Sequence, residues 1–249
     1  MSEFDEDRES VVDRAKNMGI SKLLLPNIDS STLAALKKMT NNYADCCYPM
    51  MGVHPSSVDK NWQKEVELVR TEIQTGNYIA IGEIGMDLYW SKEFIEEQKT
   101  AFRAQIEIAK EEKLPIVIHA RDSFDQIFEI LDELNDDDLT GIFHCFTGSL
   151  EQANKIIKYG NFKMGIGGVI TYKNSGVAEV IADVGLEHLV LETDSPYLSP
   201  VPHRGKRNES SFMMHVAEKL ADVKGVTLKE VEQVTTRNAI EIFKLPNNQ

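Results

Sequence analysis

Short apolar runs alternate with longer amphipathic stretches along this chain, and a histidine or carboxylate repeatedly stands where a short run stops. The clearest case spans residues 78–90. There Ile79, Ala80 and Ile81 run into Gly82 and Glu83, followed by Gly85, Asp87 and the aromatic pair Tyr89 and Trp90. A short apolar run bounded by glycines reads as a buried strand. A carboxylate at its end is costly unless a metal or another cation meets it. For this segment alone a strand cap or a buried ion pair is the simpler explanation. Recurrence of the arrangement makes it a site.

Strand candidates are Lys22 to Ile28, Cys46 to Val53, the run from Ile79 that carries Glu83, Ile116 to Ile118, Thr140 to Phe143, the glycine-rich Phe162 to Ile170, and a run beginning at His188. Helical periodicity marks Asp5 to Met18, a segment ending near Asn41, Lys60 to Thr75, Phe94 to Glu112, a face of Phe124, Ile127, Phe128, Leu131 and Leu134, Leu150 to Lys158, Glu209 to Val223, and Leu228 to Phe243. Seven strands alternating with helices imply a parallel sheet with right-handed crossovers. His54, Glu83, His119, His144 and Asp194 each fall at the C-terminal end of a strand candidate. An open doubly wound sheet gathers its site at one switch point. A closed βα barrel collects the ends of many strands on one face. Five such ends favour an α/β fold of the TIM-type (β/α) barrel kind, with seven of its eight strands visible. No linker, low-complexity tract or short repeat divides residues 1–249, so a single domain is expected.

Composition excludes some functions. A net charge of -13, from 27 basic and 40 acidic residues, is opposite to that of a protein that coats nucleic acid. It leaves room for an enzyme that meets phosphates through a metal and a few local cations. Cys46, Cys47 and Cys145 form no even framework and no CxxC pair, which fits a reducing cytosol. No apolar run approaches the roughly 20 residues of a membrane span. A cytoplasmic protein without membrane contact is expected.

Glu83, His119, His144 and Asp194 are carboxylates and imidazoles of the kind that hold Mg²⁺, Mn²⁺ or Zn²⁺. Singly, each histidine fits a satisfied core or loop position, and His188 and His215 read that way. At successive strand ends the four read as a metal site. His54, beside Pro55, is a candidate for substrate contact.

The segments Gly82-Glu-Ile-Gly-Met-Asp-Leu-Tyr89, Pro115-Ile-Val-Ile-His-Ala-Arg121, His144-Cys-Phe-Thr-Gly148, Glu192-Thr-Asp-Ser-Pro-Tyr-Leu198 and Arg204-Gly-Lys-Arg-Asn208 together resemble the signature segments of the TatD family, over essentially the whole chain. These are metal-dependent deoxyribonucleases of the amidohydrolase-like TIM-barrel superfamily. The resemblance implies hydrolysis of DNA phosphodiester bonds from an end or a single strand by metal-activated water, and a monomer without an obligate protein partner. It also implies an opening strand ending in His-x-His; here Met1 and Ser2 stand directly before the matching segment, so that pair is absent. By the same resemblance, Glu83, His119 and His144 keep one complete divalent-metal site, with Mg²⁺ the first expectation. A second site keeps only Glu83 and Asp194 and is expected to be weakened. Asp194 would orient and deprotonate the attacking water, and Glu83 would bridge the ions. His54, Arg121, Arg204 and Lys206 are candidate phosphate contacts, and Tyr89 a stacking surface for a terminal base. Two readings compete: a metal-dependent hydrolase of another ester or amide bond, and an inactive remnant lacking the His-x-His ligands.

Overall fold

The computed structural model describes residues 1–246. Its strands are β1 (Leu23–Pro26), β2 (Cys47–Met50), β3 (Ile81–Asp87), β4 (Ile116–Arg121), β5 (Gly141–Phe143), β6 (Phe162–Ile166) and β7 (Leu189–Leu191). All ladders are parallel and every strand pairs with its neighbour in sequence, β1 with β2 and then β3 through β7. A parallel bridge between Met51 and Ile81 joins the two groups, with Gly82 N–H donating to the Met51 carbonyl at 2.9 Å. The order never reverses, as it would in a doubly wound sheet, so the strands follow the course of a (β/α) barrel. Among the described residues the outer edges of β1 and β7 have no strand partner.

Helices fill the connections: α1 (Arg8–Asn17), α2 (Leu33–Asn42), α3 (Trp62–Thr75), α4 (Ile95–Glu112), α5 (Phe124–Leu134), α6 (Leu150–Lys158), α7 (Val177–Ala182), α8 (Met213–Lys224) and α9 (Leu228–Phe243). Some starts are written in local chemistry. Ser149 and Gln152 close a capping box on α6, and the Thr227 side chain accepts from Glu230 N–H at the start of α9. On α5 the buried residues Ile127, Phe128, Ile130 and Leu131 form the stripe that faces the sheet.

Side-chain alternation along the strands sorts the core into two layers. Ile116, Ile118, Phe143, Met164, Ile166 and Leu189 join the large cluster that includes residues of α3 to α8. Met50, Val117, Ile142 and Val190 point the other way, into a cluster with Ile242, Phe243 and Leu245 at the end of α9. Two residues further along the same faces stand His119, His144 and Glu192. The face that is apolar low in the strands becomes polar at their C-terminal ends, and this parity builds the site.

Several boundaries differ from the sequence reading. β3 begins at Ile81 and runs on past Glu83, where the sequence reading ends it, to Asp87, buried throughout. Gly82 and Glu83 are poor strand formers and fall where the β3–β4 register shifts, between Ile81 and Ile84; their N–H groups donate instead to the carbonyls of Met51 and Asn27, just beyond β2 and β1. β1 and β2 are shorter than expected, and β6 ends at Ile166 because Gly168–Thr171 turns into a 3-10 helix. The long helix expected from Glu209 starts at Met213, after a 3-10 turn at Ser210–Phe212.

Phe143 is fully buried against Phe124, Phe128 and Phe162. Phe143→Ala should cost about 3–5 kcal/mol of unfolding free energy through lost transfer and a residual cavity. Leu25→Ala, on the half-exposed edge strand β1, should cost less than half as much. Urea unfolding followed by circular dichroism checks this; equal costs would show that the core is not where the layers place it.

Candidate metal centre

One oxygen organises the mouth of the barrel. Glu83 is 6% exposed, and three imidazoles converge on its Oε1: His119 Nδ1 at 2.9 Å, His54 Nε2 at 3.6 Å and His144 Nε2 at 3.7 Å. Ligand atoms of His54, Glu83 and His119 lie within 4.8 Å of one another. Asp194 enters from the loop after β7, its Oδ1 3.4 Å from His144 Nε2. The expected residues Glu83, His119, His144 and Asp194 are thus brought together, and His54 joins them.

The far nitrogens are held too. His119 Nε2 meets Asp87 Oδ2 at 2.9 Å and His144 Nδ1 meets Glu192 Oε2 at 2.9 Å. A carboxylate behind each ring fixes its tautomer and turns the other nitrogen's lone pair inward, the outer arrangement of ligating histidines. This donor set, a buried carboxylate with two carboxylate-backed imidazoles, fits a divalent cation. His54 is different. Ser56 N–H donates to its Nδ1 at 3.1 Å, and its Nε2 faces the cluster, where its ligand atoms group with those of Glu83 and His119.

The charges support each other. Burial alone would raise the Glu83 carboxyl, but the His144 charge and the hydrogen bonds of His119 and His54 outweigh it and hold it well below the usual range. Burial would lower His119, yet its bonds to Asp87 and Glu83 raise it to about 9. His144 is likewise held well above normal, against burial, by Glu192 and Glu83.

Two close approaches depend on glycine. Gly85 has φ +130°, and a Cβ there would run into the His119 carbonyl. At Gly165 a Cβ would overlap the Glu192 carboxylate. Backbone in the left-handed region recurs at the strand ends, at Asp122, Cys145, Asp194 and Leu198, with φ from 45° to 55°. Such positions gather where a site needs side chains aimed in fixed directions.

The cations expected from the sequence lie at the end of β4 and on the segment that follows β7. Arg121, at the end of β4, stacks its guanidinium 3.8 Å from the centroid of Tyr89. Arg204 lies 4.3 Å over Tyr172, and Lys206 is exposed on the same loop. Arg207 is spent on structure, bonded to Asp7 at 2.6 and 2.7 Å. Asp87 and Glu192 are the residues of the cluster that the sequence reading did not single out as part of the site.

Comparison with known proteins bears on this geometry. A family model described as TatD related DNase matches residues 1–244. The chain belongs to the TatD family. The metal-dependent hydrolase YabD of Bacillus subtilis is 37% identical over 244 residues, covering 98% of this chain and 95% of the relative. A Rahnella protein named 3'-5' ssDNA/RNA exonuclease TatD is 32% identical over 251 residues, covering 98% and 95%. The crystal structure of the TatD homologue YjjV from Escherichia coli superposes with a TM-score of 0.91 at 29% identity, over 98% of this chain and 94% of that one. Like its relatives, this TatD-family chain is a metal-dependent hydrolase. No helix among the described residues is long and apolar enough to cross a membrane.

If Asp87 and Glu192 set the ligating rings, Asp87→Asn and Glu192→Gln should each weaken divalent-metal binding about 10–100-fold with little change in fold. Competition against a chromophoric chelator measures this. Unchanged affinity in both variants would show that the outer carboxylates are ordinary buried partners.

Proposed function

We propose that this chain hydrolyses phosphodiester bonds of DNA, trimming a strand from an end. The observation that carries the reading is the Glu83 oxygen with its three converging imidazoles. It is supported by the match to the DNase family model and by the exonuclease named among the relatives.

Glu83, His119 and His144 would hold the ion, Mg²⁺ by first expectation, with Mn²⁺ and Zn²⁺ suited to the imidazole donors. A second, weaker position would rest on Glu83 and Asp194. A bound ion supplies Lewis-acid polarisation of the phosphoryl group and a water of lowered pKa. The residues do the rest. Asp194 is the least buried carboxylate of the cluster, with its side chain 29% exposed, and it is placed to take a proton from an incoming water. His54 offers a hydrogen bond to a phosphoryl oxygen. Arg204 presents a planar fork that fits phosphate oxygens, and Lys206 a point charge. Tyr89 would lie against a base. A chain of net charge -13 suits engagement at one end better than wrapping of a duplex.

The test is nucleotide release from end-labelled single-stranded DNA with Mg²⁺, Mn²⁺ or Zn²⁺, beside a chelator control. Release should stop with chelator and fall at least about 10³-fold in Glu83→Ala, since the ion's oxygen ligand is gone. Release that persists in chelator, or at full rate in the variant, would overturn the proposal.

A further inference from the structure

Above the metal centre stands an aromatic and cationic cluster that the hydrolytic residues leave unexplained. Trp90 is 72% exposed and Tyr89 is 55% exposed, far outside the usual burial of such side chains. Their rings meet edge to face at 5.0 Å. The Arg121 guanidinium stacks on Tyr89 and also lies 5.3 Å from the centroid of Trp90. Beside them opens a cavity of about 580 Å³, the size of a small-ligand site, lined by Tyr89, Arg121, Asp122, Asp125, Thr147 and Gln152 among others.

The cluster is tied to the chemistry by one side chain. Asp87 Oδ2 holds His119, while its Oδ1 accepts the backbone N–H of Tyr89 at 3.0 Å and of Trp90 at 3.3 Å. His119 and Arg121 lie two residues apart on the same face of β4, roughly 6.6 Å by strand rise. The platform therefore sits at a fixed step from the ion position. Its charge says what it takes. Arg121 is the only cation of the cavity wall, against the carboxylates Asp122 and Asp125, so a second phosphate is poorly matched. A flat, uncharged heterocycle stacks on guanidinium and indole and donates to carboxylates from its amino edge.

We infer that Tyr89, Trp90 and Arg121, with the cavity beside them, form a nucleobase subsite that holds one base of the strand while the adjoining phosphodiester lies at Glu83. This deepens the nuclease reading and rests on it. Trp90 makes the stacking surface, Arg121 is held flat by Tyr89, and Asp87 keeps the platform and His119 in register.

The experiment follows tryptophan emission of the full chain titrated with deoxyadenosine 5'-monophosphate, and with deoxyribose 5-phosphate, which lacks only the base. Trp90→Ala, at an exposed position, is subtracted to remove the signal of Trp62. A saturable quench by the nucleotide alone is expected. Its Kd should rise about fivefold or more in Arg121→Ala, and as much in Arg121→Lys, which keeps the charge and loses the plane. No base-dependent quench, or full rescue by lysine, overturns the subsite. Base-dependent quenching in a protein that releases no nucleotide from DNA would instead sink the nuclease reading and leave the subsite standing. Hydrolysis without base-dependent quenching would do the reverse.

Discussion

A carboxylate buried without positive charge near it is among the costliest things a fold can hold. Glu83 is such a group, inside a strand with neighbours on both sides, and much of the upper barrel answers its requirement. The imidazoles of His54, His119 and His144 surround one of its oxygens. Asp87 and Glu192 in turn keep two of those rings aimed inward. Glycines at 85 and 165 clear the space for a backbone and a carboxylate that could not otherwise approach. Removing Glu83 would take away the oxygen on which the three imidazoles converge and leave only Asp87 and Glu192 to hold two of them.

The same requirement links packing to function. Strand alternation sends Val117, Ile142 and Val190 into an apolar layer closed by the end of α9. Two residues later it delivers His119, His144 and Glu192 to one small volume. The core therefore fixes the spacing of the ligands, and the loops fix what surrounds them. Asp87 carries that linkage outward, because one carboxylate serves both the metal-facing ring of His119 and the turn that presents Tyr89 and Trp90.

Much of this was legible before any coordinates. The alternation of short and long runs gave the order of elements, and histidines or acids at their ends pointed to Glu83, His119, His144 and Asp194. Asp87 and Glu192 were not legible as outer partners. Each contacts a ring 32 or 48 residues away, and nothing in their own neighbourhoods says which side chain they will meet. The continuation of β3 beyond Glu83 was not legible because Gly85 and Asp87 are weak strand formers, and pairing of Ile84 to Asp87 with β4 holds them extended. The end of β6 was misread for a related reason, since the glycines at 167 and 168 permit a strand as readily as the 3-10 turn that forms. His54 was expected only near substrate, because pairing across the top of the barrel leaves no mark in a linear pattern.

The central claim is that a divalent ion binds at Glu83 in competition with protons on the imidazoles around it. Ligating imidazoles must be neutral, and His119 holds its proton up to about 9. Metal binding near neutral pH must therefore expel protons, and affinity must tighten as the pH rises toward that value. The most direct measurement is calorimetric titration with Mn²⁺ or Zn²⁺ in buffers of different ionisation enthalpy, on the wild type and Glu83→Gln. The account predicts release of about one proton or more per ion near neutral pH, and loss of high-affinity binding in the variant. Tight binding with no proton released, or equal binding by Glu83→Gln, would contradict it.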